Sequence, residues 1–113
     1  MGKATTIELG GREYELVLTT RAMRELSERF GGMERVGDRI SGDLSLQDFV
    51  WIVTLLANQG AARHNLANAA NPIPFLTEEQ VELLTVPSDL AEFGPKLVEV
   101  LRRDTNRIVQ SKN

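Results

Sequence analysis

The sequence predicts an α+β fold, mainly helical, in which an N-terminal β-hairpin packs on four or five helices. Three observations point there. Residues 7–18, IELGGREYELVL, alternate apolar and polar positions on either side of a Gly-Gly pair. From Thr19 onward the apolar residues recur at helical spacing, and the runs start at Ser or Thr and stop at Gly or Pro. The 113 residues suit one domain with a single core, expected over residues 1–104, with residues 105–113 as a polar C-terminal tail.

With Gly10-Gly11 as a two-residue loop, Leu9 faces Arg12, Ile7 faces Tyr14 and Thr5 faces Leu16. This register puts Ile7, Leu9, Tyr14, Leu16 and Leu18 on one face. A three-residue loop would set Ile7 against a glutamate instead. Gly-Gly suits the primed turn because both loop positions need positive φ. Glu8 opposite Glu13 weakens the pair slightly. A hairpin of this length is not stable alone in water, so its apolar face must rest on the helices, and its two outer backbone edges need cover.

Thr19-Thr20 can cap a helix running to Phe30 and stopped by Gly31-Gly32, with Met23, Leu26 and Phe30 at helical spacing. Met33, Val36 and Ile40 repeat the spacing and suggest a short second helix ahead of Ser41-Gly42-Asp43. Ser45 with Asp48 starts the most apolar helix, Leu46 to about Arg63. Leu46, Phe49, Val50, Val53, Leu56 and Ala57 form its inward stripe; Trp51, Ile52 and Leu55 lie beside it, in the chain's own core or in an interface. Leu26, Phe49, Val50, Val53 and Leu56 are the expected core.

Residues 64–76, HNLANAANPIPFL, break the periodicity and read as an extended connector. Its Ile73, Phe75 and Leu76 either tuck onto the core or form an exposed apolar strip for a partner. Thr77-Glu78-Glu79-Gln80 is a capping box, with Leu76 and Val81 placed for a hydrophobic staple; the short helix it opens holds Val81, Leu83 and Leu84 and ends before Pro87. The last helix carries Leu90, Phe93, Leu97, Val98 and Leu101, with Gly94-Pro95 as a restart or kink. Beyond Thr105 only Ile108 and Val109 are apolar, and this tail is expected to fray.

Composition narrows the function classes. A hydrophobic share of 42% and a charged share of 26% are those of an ordinary globular domain. There is no cysteine, so disulfides and thiolate metal sites are excluded. MGKATTIEL lacks an apolar core of signal-peptide length, and no apolar run is long enough to span a bilayer. A cytoplasmic protein is expected. The net charge of −3 is unevenly placed: residues 76–94 carry five acids and no cation, whereas Lys96, Arg102, Arg103, Arg107 and Lys112 lie beyond. These are either solvated helix faces or an acidic patch and basic tail that steer a partner.

No catalytic constellation is visible. His64 is the single histidine and has no cysteine, serine-elbow or second histidine to work with. Glu78-Glu79 are accounted for by the helix dipole, and neither Gly pair matches a phosphate-cradling loop. An enzyme is not expected, and no cofactor or metal. A helix-turn-helix over residues 20–40 is the main nucleic-acid reading, but five arginines against four acids leave it nearly neutral and without a recognition face.

The stretch GREYELVLTTRAMRELSERFGG resembles the N-terminal signature of the tail assembly chaperones of long-tailed bacteriophages, prophages and related gene transfer agents. The matching positions are Gly11, Tyr14, Leu16, Leu18, Ala22, Leu26, Phe30 and Gly31. SLQDFVWIVTLLANQG and PFLTEEQVELL are similar to that family's central apolar helix and its Leu-Thr-x-Glu-x-Val helix. The resemblance covers roughly residues 7–86; residues 87–113 match nothing specific. It implies a non-enzymatic protein of the bacterial cytoplasm that binds the long tape measure protein, and in some cases tail tube subunits, during tail building. It also implies self-association. The alternative is a small intracellular interaction or regulatory module, DNA-binding modules included. Candidate partner-binding residues are Trp51, Ile52, Leu55, Ile73 and Phe75; candidate self-association residues are Ile7, Leu9, Tyr14 and Leu16, at the hairpin edge.

Overall fold

The computed structural model describes residues 4–42 and 44–111, and side chains as far as Asp104 except that of Ser41. The chain begins with an antiparallel hairpin of β1 (Thr6–Leu9) and β2 (Arg12–Glu15), followed by five helices: α1 (Thr20–Phe30), α2 (Met33–Ser41), α3 (Leu46–Ala67), α4 (Glu78–Leu84) and α5 (Pro87–Ser111). This is the expected α+β, mainly helical arrangement. The strand register is Ile7 with Tyr14 and Leu9 with Arg12, as the two-residue loop requires. Both loop glycines have positive φ, 59° and 78°, where a Cβ would be strained.

Local signals set the helix ends. The Thr19 hydroxyl accepts from the Ala22 amide and donates to Gln59 Oε1, so one side chain caps α1 and ties it to α3. Left-handed Gly31 ends α1. Ser45 caps α3, while Asp48, the expected return partner, instead bridges Arg29 and Arg39 at 2.9 and 3.2 Å. At α4 both halves of the Thr77–Gln80 capping box are made. Pro87 opens α5, where it lacks only an N–H that would have no helical partner, and Asp89 accepts from the Val86 amide.

The core lies where α1, α3 and α5 meet the apolar face of the hairpin. It contains Ile7, Leu16, Leu26, Val36, Ile52, Val53, Leu56, Val81, Leu97 and Val100. Of the five expected core residues, Leu26, Val50, Val53 and Leu56 are buried, but Phe49 is half-buried. The inward face of α3 is rotated from the expected stripe. Ile52 is completely buried and Leu46 is exposed, because α3 packs against β2 on one side and α4 on another, so no single stripe describes it. α3 also runs to Ala67, four residues beyond the expected end, and α5 passes through Pro95 as one helix. Its backbone is helical to Ser111; the side chains of 105–111 and residues 112–113, in the expected polar tail, lie outside the described part.

What the hairpin leans on is its own chain. In a two-residue hairpin the backbone groups of Thr6, Glu8, Glu13 and Glu15 point outward. α5 meets one edge: Lys96 Nζ donates to Thr6 O at 2.7 Å, and Thr5 Oγ1 bonds both Glu99 and Arg103. Where the chain leaves β2, buried Asp104 accepts from the Leu18 amide at 3.1 Å. α3 meets the other edge. The Val17 amide donates to Leu56 O at 3.3 Å, and an added Cβ at Gly60 would lie 2.0 Å from Glu15 O. The glycine leaves the helix surface bare where the strand backbone crosses it. Helices α3 and α5 thus supply at these points the cover that the hairpin edges need.

Candidate interaction surface

The chain between α3 and α4 is held by a backbone-reading device. Asn58 and Asn65 are seven residues apart, so their side chains leave α3 on one face, about 10.5 Å apart along the axis. The Asn58 carboxamide accepts from the Leu76 amide at 2.7 Å and donates to Leu76 O at 2.8 Å. Asn65 does the same to Ile73, at 2.7 and 3.1 Å. Three residues of extended chain span about 9–10 Å, which matches the asparagine spacing. Each side chain thus replaces one rung of a missing neighbouring strand. His64 Nε2 adds a contact to Asn71 O at 3.2 Å.

This anchoring decides which side chains of the connector face outward. Leu76 is buried and Ile73 half-buried, whereas Phe75 between them is 60% exposed. In α4 only Val81 is buried. Leu83 is 78% exposed, and Leu84 and Val86 are exposed as well. Leu84 reaches back toward the hairpin loop, 3.2 Å from a Cβ position at Gly10. Around these apolar groups Glu78, Glu79 and Glu82 are exposed, and no cation lies between residues 76 and 94. They form a strip along the chain, residues 75–86, in which exposed apolar side chains alternate with exposed carboxylates and no cation occurs.

The sequence-based candidates scatter. Phe75 presents its ring to solvent, and Ile73 is half-buried against the core with its backbone clamped. Trp51 is half-buried beneath an Arg29 guanidinium 4.4 Å from its ring centre, with Phe30 edge-on at 6.3 Å, an arrangement that already satisfies the indole face. Leu55 is half-buried. Ile52 is a core residue and is withdrawn as a contact residue. Ile7, Leu9, Tyr14 and Leu16 are likewise buried against the chain's own helices, so their side chains make no self-association surface.

Sequence reading missed the exposed face of α4 and the two asparagines. The signal for the first was present: Val81 and Leu83 are two apart and cannot share a helix face. For the second, Asn58 and Asn65 two helical turns apart, ahead of a proline-bearing extended stretch, was the available hint.

Among the described residues no group of three acidic, His or Cys side chains is placed to hold a metal, no helix is long and apolar enough to cross a membrane, and no buried side-chain polar atom lacks a partner. The chain matches no family model, no curated protein and no solved structure at a significant level.

Proposed function

We propose that this protein is a non-enzymatic tail assembly chaperone of a long-tailed phage or prophage, acting in the bacterial cytoplasm and binding the tape measure protein, with tail tube subunits as further clients. The observation that carries this reading is the apolar strip of Phe75, Leu83, Leu84 and Val86, four of the six large apolar side chains exposed among the described residues, set beside the clamped connector. A protein that keeps an aggregation-prone helical client soluble needs such a surface. The resemblance of residues 7–86 to the chaperone signature supplies the client's identity.

Self-association belongs to the same reading, and it would use surface other than the hairpin's buried face. Co-expression with the product of a neighbouring very long, helix-rich gene, followed by affinity purification, tests the proposal. The expected result is a soluble stoichiometric complex; a client that stays insoluble and does not co-purify would overturn it.

A further inference from the structure

We infer that the strip of Phe75, Leu83, Leu84 and Val86 docks a basic amphipathic helix, with the partner's apolar stripe on these side chains and its Lys and Arg residues beside Glu79 and Glu82. This rests on the reading of the protein as a binder of helical clients and specifies the chemistry of the segment bound. Three observations lead to it.

The first is the frame. Asn58 and Asn65 hold the connector backbone through four hydrogen bonds, and the complete capping box at Thr77 and Gln80 starts α4 directly after it. Phe75 and Leu83 are therefore presented on fixed backbone, and little ordering remains to be done on binding. The seven residues of α4 are about 10.5 Å long, the rise between the first and last anchors of a helix that contacts through positions i, i+3 or i+4, and i+7.

The second is the charge around the strip. Glu78, Glu79, Glu82 and Glu92 are exposed and Asp89 is half-buried, with no cation in residues 76–94 to offset them. A helix with Lys and Arg flanking its apolar stripe meets that field favourably, and an acidic helix of the same shape is repelled.

The third argues against a second copy of this chain. A two-fold contact through this face would bring two copies of the same acidic, cation-free stretch together, a like-charge arrangement that costs affinity. Nor does the described part of α5 offer a basic stripe: Arg102 is its one exposed cation. Lys96 donates to Thr6 O, and Arg103 is engaged with Asp104 and Thr5.

Fluorescence anisotropy with a labelled designed peptide tests the inference on the full chain. The peptide is an amphipathic helix of about 18 residues with one leucine stripe and lysine elsewhere; its twin replaces every lysine with glutamate. The lysine peptide is expected to bind saturably and the twin not. Leu83→Ser, at an exposed position, should weaken binding about tenfold. The pair Glu79→Lys and Glu82→Lys should weaken it by a similar factor and admit the glutamate twin. The pair Glu28→Lys and Glu34→Lys, with the same change in net charge on exposed sites of α1 and α2, should shift it less than about twofold. Circular dichroism verifies that each variant folds.

The inference is overturned if the lysine peptide shows no saturable binding up to about 100 µM, if both peptides bind alike, if Leu83→Ser has no effect, or if the distant charge pair matters as much as the local one. It is also overturned if Leu83→Ser dissolves a dimer of the protein, since the strip would then be occupied by a second copy. Failure here separates from failure of the proposed function. A tape measure complex that survives Leu83→Ser and the Glu79, Glu82 reversal leaves the chaperone role standing and removes this surface. Saturable, charge-selective peptide binding without any tape measure complex does the opposite.

Discussion

In the hairpin, Ile7, Leu9, Tyr14 and Leu16 carry their side chains into the core, whereas Phe75, Leu83 and Val86, from a segment no less apolar, carry theirs to solvent. The difference lies in how each backbone is held. The hairpin is gripped at both edges by helices that also cover its apolar face, through Lys96 on Thr6 O and the bare flank of α3 at Gly60. The connector is gripped by two side chains of α3, at Ile73 and Leu76, which leaves Pro74 and Phe75 between them exposed. A gripped face serves stability; a gripped backbone with an ungripped face is suited to binding.

The largest expected effect sharpens this contrast on α3 itself. Leu56→Ala removes a completely buried side chain and should cost about 3–5 kcal/mol in urea unfolding. A cost below about 1 kcal/mol would mean that α3 does not hold the hairpin as described.

Next comes a pair of identical substitutions with opposite sign. Gly60→Ala places a methyl group 2.0 Å from Glu15 O. It should destabilise by about 2–3 kcal/mol even after the gain in helix propensity. Gly37→Ala in α2 meets nothing within 4 Å and should stabilise by up to about 1 kcal/mol. If both stabilise, β2 does not cross α3 at that glycine.

A smaller effect probes the clamp. Asn58→Ala leaves the Leu76 amide and carbonyl without their partners and should cost about 1–3 kcal/mol. It should also speed amide hydrogen exchange at Leu76 ahead of exchange in α1, since the connector loses its anchor locally. Unchanged exchange at Leu76 would remove the clamp from the account of Phe75.

The smallest effect is the one that most clearly parts the two regions. Leu83→Ser should change stability by less than about 0.5 kcal/mol, because the side chain is already 78% exposed. A loss comparable to that of Leu56→Ala would show Leu83 to be core, and the strip would vanish.

Much of this was legible from residue order because it depends on neighbours within a few positions. The hairpin register follows from a two-residue Gly-Gly loop with alternation on both sides. The ends of α1 and the capping box at Thr77 are short-range chemistry of the same kind. What only the tertiary structure decided is which apolar side chains have something to rest against. Ile52 and Trp51 are adjacent on an almost uniformly apolar helix, yet one is sealed in the core and the other lies under Arg29 and Phe30. Val100 is completely buried although the reading of α5 passed over it. Gly60 looks like a weak helix residue until Glu15 arrives from forty-five positions earlier. Periodicity states that a face is apolar, but burial needs a partner surface, and on α3, touched by strand and helices from different sides, the partners come from segments distant in sequence.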